Sequence, residues 1–160
     1  MTYKRIMADS IHNDDQAKAL LDRARRYCAL SEQCESGVRQ KLIVWGASPD
    51  MVAPIINRLR AEDYLDDERY ARIYCESKIV QQHWGRQKVL YQLRLKHLPK
   101  GAIDKGMAAV SEEVYMHVLS EVAERKRAEL GGIEADSRKL MSFLASRGFS
   151  LNEINKVINQ

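Results

Sequence analysis

Glycine and proline are scarce in this 160-residue chain, with 8 and 3 copies. Long strand-like runs rich in Val, Ile and Thr are missing too. What fills the chain instead is Leu, Ala, Arg, Lys, Glu and Gln, residues that lose little rotamer freedom in a helix. The composition predicts an all-α protein. No apolar run approaches the roughly 20 residues that a membrane span needs, so no membrane association is expected. The opening "MTYKRIMADSIHNDDQ" lacks the apolar centre of a secretion signal. Residues 1–13 are expected as a flexible arm. The three cysteines, Cys28, Cys34 and Cys75, are odd in number and show no CxxC spacing. That argues against a disulfide framework or a zinc site and fits a reducing cytoplasm.

Catalytic signatures are absent as well. There is no GxxxxGK[ST] or GxGxxG stretch to cradle a nucleotide phosphate, and no GxSxG elbow. His12, His83, His97 and His117 fall on different predicted elements without ligand-like spacing. No enzyme site can be assembled, and no cofactor is expected.

The one tempting pair is Asp66 and Asp67 in "YLDDERYAR". A metal or general-base role needs further ligands converging on the pair, and the chain offers none. Their place after a turn predicts instead that they cap the helix they open, accepting backbone N–H bonds at its positive end.

What the chain has is a repeat. Three segments align without gaps at a spacing of about 51 residues. Val38, Val89 and Leu140 correspond, as do Leu42, Leu93 and Leu144, then Gly46, His97 and Gly148, then Ser48, Pro99 and Ser150. Val52, Ile103 and Ile154 continue the register. Apolar residues at i and i+4, a stop, and a second such pair describe helix, turn, helix. Gly46 and Gly148 stand where a left-handed residue ends a helix, and Ser48 and Ser150 where a cap begins the next. Each segment also has room for a preceding amphipathic helix, at 14–31, 66–83 and 112–130. The expectation is an elongated tandem array of three three-helix repeats, over 14–62, 63–110 and 111–160.

Charge is concentrated in the middle repeat. Between Arg69 and Lys105 stand nine bases and two acids, a balance of +7 in a chain of net +4. The block suits a polyanion or an acidic protein groove. On a helical wheel of "GRQKVLYQLRLKHLPK", Val89 and Leu93 point to the core, and Lys88, Tyr91, Arg94 and Leu95 fall on the far side. That face either meets a partner or packs on a neighbouring repeat.

"DYLDDERYAR", "WGRQKVLYQLRLK", "FLASRGFSLNEINKVI" and "VRQKLIVWGAS" together resemble the RecX family of recombinase regulators. The likeness covers residues 17–159. It implies tandem three-helix repeats and binding in the helical groove of a RecA–DNA filament, with inhibition of strand exchange, ATP hydrolysis and co-protease activity. It also implies no active site. The expected contact residues are Arg69, Arg72, Lys78, Arg86, Lys88, Tyr91, Arg94, Leu95 and Lys96, on a monomer for which single- or double-stranded DNA is a further possible partner. Three departures fall in turns and caps. Lys96–His97–Leu98 stands for the family's Lys–Gly–Ile, Cys34 for a serine, and Gly37–Val38 for Glu–Leu. The other reading of the same residues is a helical-repeat nucleic-acid-binding or adaptor protein that acts without a recombinase.

Overall fold

The computed structural model describes residues 3–132 and 136–158, with side chains from residue 13 onward. Among these residues every regular element is helical, and the chain divides into two compact units, 1–67 and 68–160.

The first unit holds α1 (Tyr3–Leu30), α2 (Glu35–Val44) and α3 (Pro49–Ala61). α1 already runs as helix from Tyr3, through much of the segment expected as an arm; residues 1 and 2 lie outside the described residues. Leu20, Ala24 and Cys28 line one stripe of α1 and close on Val38 and Leu42 of α2 and Ile55, Ile56 and Leu59 of α3. These positions recur every three or four residues, so each helix buries one face and leaves the other to solvent.

The second unit contains α4 (Asp67–Glu76, its first residue closing the first unit), running on into a π-helical turn (Ser77–Gln81), then α5 (Arg86–Leu95), α6 (Lys100–Ala108), α7 (Glu112–Glu129), α8 (Ser137–Ser146) and α9 (Leu151–Ile158). The second and third three-helix groups lie together in it. α6 approaches α4 closely because Gly106 has no side chain; a Cβ there would sit 2.7 Å from the Ala71 carbonyl carbon.

The 51-residue register holds in three dimensions. Val38, Val89 and Leu140 are buried at equivalent places, and Leu42, Leu93 and Leu144 are each 0% exposed. The second helices are preceded by the cap residues Cys34, Gly85 and Asp136 and followed by Trp45, Lys96 and Arg147. Gly46, His97 and Gly148 follow at φ of 92°, 56° and 97°. His97 therefore takes the left-handed conformation that glycine takes in the other two turns, at some conformational cost. Ser150 forms a capping box with Glu153, and Ser111 accepts from Val114 N at 3.2 Å. Ser48 occupies the cap of α3 without a side-chain hydrogen bond. There Pro49 begins the helix, and proline has no N–H to satisfy.

Asp67, one of the aspartate pair, has a different partner from the one expected. Asp67 is the first residue of α4, and its carboxylate accepts from Glu35 N, the first N–H of α2, at 2.9 Å. The residue at the start of α2 is Cys34, whose thiol is a weak acceptor and makes no cap bond. A carboxylate 32 residues away supplies what the local cap lacks. Burial pushes the Asp67 carboxyl above its ordinary value, opposed by the nearby Arg60 guanidinium and reinforced by Asp66.

Candidate functional site

The expected contact residues fall into three groups. Arg86 is engaged inside the second unit. Its guanidinium carbon lies 3.8 Å over the Tyr115 ring, and Nη1 pairs with Glu112 at 2.7 Å. Its backbone N–H donates to the Tyr115 hydroxyl, which in turn donates to Glu153. Tyr115 is 0% exposed, and its burial holds the phenol well above its ordinary range. This cluster ties α5 to α7 and α9, so Arg86 acts as a structural residue here.

Tyr91, Arg94 and Leu95 form the second group, on the open side of α5. Tyr91 is 60% and Leu95 55% exposed. Arg94 is exposed beside them. On α4, Arg72 is exposed and Arg69 half-buried.

The third group is a strip of lysines laid on aromatic rings. Tyr70 and Tyr74 stack along α4, centroids 5.8 Å apart and planes at 24°. Lys96, at the end of α5, reaches back over both, with Nζ 6.0 and 5.9 Å from the two centroids. Lys78 on the π turn lies 5.4 Å from the Tyr74 ring and 4.9 Å from Trp84, and donates to the neutral amide of Gln82 at 3.0 Å. Lys88 on α5 lies 4.2 Å from the Trp84 ring. Three ammonium groups and three rings thus make one continuous surface, Lys96–Tyr70–Tyr74–Lys78–Trp84–Lys88.

Local chemistry explains the strip. Tyr70, Tyr74 and Lys78 follow at i, i+4 and i+8, one face of a helix. The π turn widens the backbone after Glu76, and His83 beyond it takes φ 57°, which brings Trp84 round to Lys78, where its backbone N–H donates to the Lys78 carbonyl at 2.9 Å. Lysine stems lie along apolar rings while their charged ends stay wet, and each cation–ring contact contributes about 0.5–1 kcal/mol at an exposed site. Burial pushes the Tyr74 phenol up, so the ring stays neutral.

Lys78, Lys88 and Lys96 were legible in the sequence as bases. Counting bases does not find Tyr70, Tyr74 and Trp84. Their signal was the four-residue spacing of two tyrosines and a lysine.

Elsewhere the titratable groups are separate. Among the described residues no group of three or more His, Cys, Asp and Glu stands close enough to hold a metal. His12 lies outside the described side chains, His83 and His97 sit in turns, and His117 faces Glu121 at 3.6 Å. All three cysteines are buried, and none of them forms a disulfide. Burial pushes the Cys75 thiol up to about 11, where it is a poor nucleophile. No helix among the described residues is long and apolar enough to cross a membrane.

The regulatory protein RecX of Clostridium acetobutylicum is 31% identical over 160 residues, covering 96% of this chain and 73% of that protein. The chain belongs to the RecX family. The regulatory protein RecX of Halorhodospira halophila is 30% identical over 142 residues, covering 86% and 85% of the two chains. The domain described as "RecX, second three-helix domain" matches residues 66–107, and every side chain of the lysine–aromatic strip falls within it. Two solved structures share the RecX fold. RecX from Lactobacillus salivarius superimposes with a TM-score of 0.81 at 20% identity, covering 91% of this chain and 96% of that one. A second, titled regulatory protein RecX, gives 0.83 at 23% identity over 100% and 79%.

Proposed function

We propose that this RecX-family chain is a non-enzymatic regulator that binds the groove of a RecA–DNA filament. Bound there it inhibits strand exchange, ATP hydrolysis and co-protease activity. The observation that carries the reading is the lysine–aromatic strip of the second unit. A nucleoprotein filament presents nucleic-acid phosphate and protein surface together, and a strip of cations and rings suits both kinds of contact. Ammonium groups neutralise phosphate, in a salt-dependent way. Exposed Tyr91 and Leu95 beside it supply the apolar contacts from which binding hot spots are made. Arg69, Arg72 and Arg94 extend the positive field and steer association. We extend the reading to a cytoplasmic setting and a monomeric protein; three buried thiols without a disulfide support the first of these.

The test is titration of the full chain into a DNA-dependent RecA ATPase assay. The unaltered protein should slow hydrolysis. Lys78→Glu with Lys88→Glu should weaken that inhibition strongly while the fold is retained, because each lost cation–ring contact costs only about 1 kcal/mol. Tyr91→Ala with Leu95→Ala should weaken it further if protein contact dominates over phosphate. Full inhibition by both double variants would exclude this face. Tight binding to bare DNA with no effect on the ATPase would favour the adaptor reading.

A further inference from the structure

The 51-residue register carries a second observation. The residue closing the second helix of each repeat is Trp45, Lys96 or Arg147. On the first helix of the same repeats, at the same spacing, stand Arg23, Tyr74 and Arg125. In the first repeat the Arg23 guanidinium carbon lies 4.3 Å over the Trp45 ring. In the second the chemistry is exchanged, with Lys96 Nζ 5.9 Å from the Tyr74 ring. Each of these two repeats joins its helices by one cation and one ring. The third repeat has two cations, Arg125 and Arg147, at the corresponding positions.

The two arginines line a cavity of about 220 Å³, together with His83, Lys126, Glu129 and Phe143. Glu129 is the one carboxylate among these residues, and Lys126 engages it at 2.9 Å while lying 4.8 Å from the Phe143 ring. Among the described residues no carboxylate pairs with Arg125 or Arg147. Arg147 Nη2 donates to the Gln82 carbonyl at 2.5 Å, but its Nε is buried without a partner. An unmatched N–H donor on a charged group is costly to bury. Two guanidinium groups flanking one cavity also repel each other unless negative charge lies between them.

We propose that the third repeat holds an oxyanion site between Arg125 and Arg147 that takes a phosphate group. A guanidinium presents a planar fork of N–H donors that matches phosphate oxygens two at a time. A tetrahedral oxyanion in the cavity bridges the Arg125 and Arg147 guanidinium groups and neutralises the two charges. The site is separate from the lysine–aromatic strip, and the proposal does not depend on the filament reading. The phosphate comes either free in solution or from the backbone of a nucleic-acid strand, and the experiment distinguishes these.

The experiment follows the arginine Nε–H resonances of the full chain, ¹⁵N-labelled, by NMR. Three titrants are used at matched ionic strength: inorganic phosphate, a short single-stranded oligodeoxynucleotide, and sodium chloride. The Arg147 signal, assigned by its loss in Arg147→Lys, should shift saturably. Saturation by inorganic phosphate identifies free phosphate as sufficient; saturation by the oligonucleotide alone identifies the strand as the source. Arg125→Gln, an exposed substitution, should weaken binding by about tenfold or more, the effect of losing charged hydrogen bonds. Arg125→Tyr rebuilds the cation–ring pair of the other repeats and should abolish binding while the chain stays folded. Equal shifts with chloride, no saturation by either phosphate compound, or unchanged affinity in Arg125→Gln would each overturn the site.

Discussion

Gly85 and Gly148 meet backbone to backbone. Gly85 N donates to the Arg147 carbonyl at 2.8 Å, Gln87 N donates to the Gly148 carbonyl at 3.1 Å, and a Cβ on Gly85 would lie 2.0 Å from the Gly148 carbonyl carbon. The start of α5 thus uses the turn between α8 and α9 as its acceptor, and these two bonds join the second and third repeats within one unit.

Gly85→Ala therefore cannot be accommodated without moving one of these backbones. Overpacking against a rigid contact typically costs about 1–3 kcal/mol and sometimes more, and here two hydrogen bonds are also at risk. Urea denaturation should show a loss of at least about 2 kcal/mol. Gly101→Ala, where a Cβ meets nothing within 4 Å, is the control and should leave stability unchanged or slightly raised.

Asp67 caps a helix that is not its own, and its variants separate that role from a cap of α4. Asp67→Ala should destabilise by about 1 kcal/mol, the usual effect of losing a cap acceptor, whereas Asp67→Asn should be close to neutral. Amide hydrogen exchange locates the effect: faster exchange at Glu35 in the alanine variant is the expected result. Loss confined to the first turn of α4 would contradict the assignment.

Glu62 predicts an acid limb in the stability of the first unit. Hydrogen bonds from Arg25, at 2.7 Å, and from Arg58 hold its carboxyl down at about 2, below the ordinary value of 4.5. A depressed carboxyl stabilises the fold fully above its unfolded pKa and loses that contribution as pH falls through the folded one. The stability difference between the parent and Glu62→Gln should therefore be constant near neutrality. It should shrink from about pH 4.5 toward 2, in denaturation curves measured at several pH values. A difference that does not change over that range would show that the carboxylate is not the group responsible.

Whatever repeats within a few residues was legible in the sequence. The apolar pairs at i and i+4, the glycines at 46 and 148 and the serine at 150 depend on neighbours one turn away, so the helices, their ends and the 51-residue register followed from local spacing. The excess of bases in the middle repeat was a matter of counting. Tertiary structure decided which of those bases is available. Arg86 reads like Lys88 in the sequence, yet it lies over Tyr115, 29 residues on, while Lys88 joins the ring of Trp84. It also decided that Asp67 serves α2, that Tyr70, Tyr74 and Trp84 line up under three lysines, and that Arg125 and Arg147 share a cavity. Local periodicity fixes which face of a helix is apolar. It carries no information about which charge, ring or backbone arrives from 20 to 65 residues away, because that depends on the path of the turns and on how closely glycine lets two backbones approach.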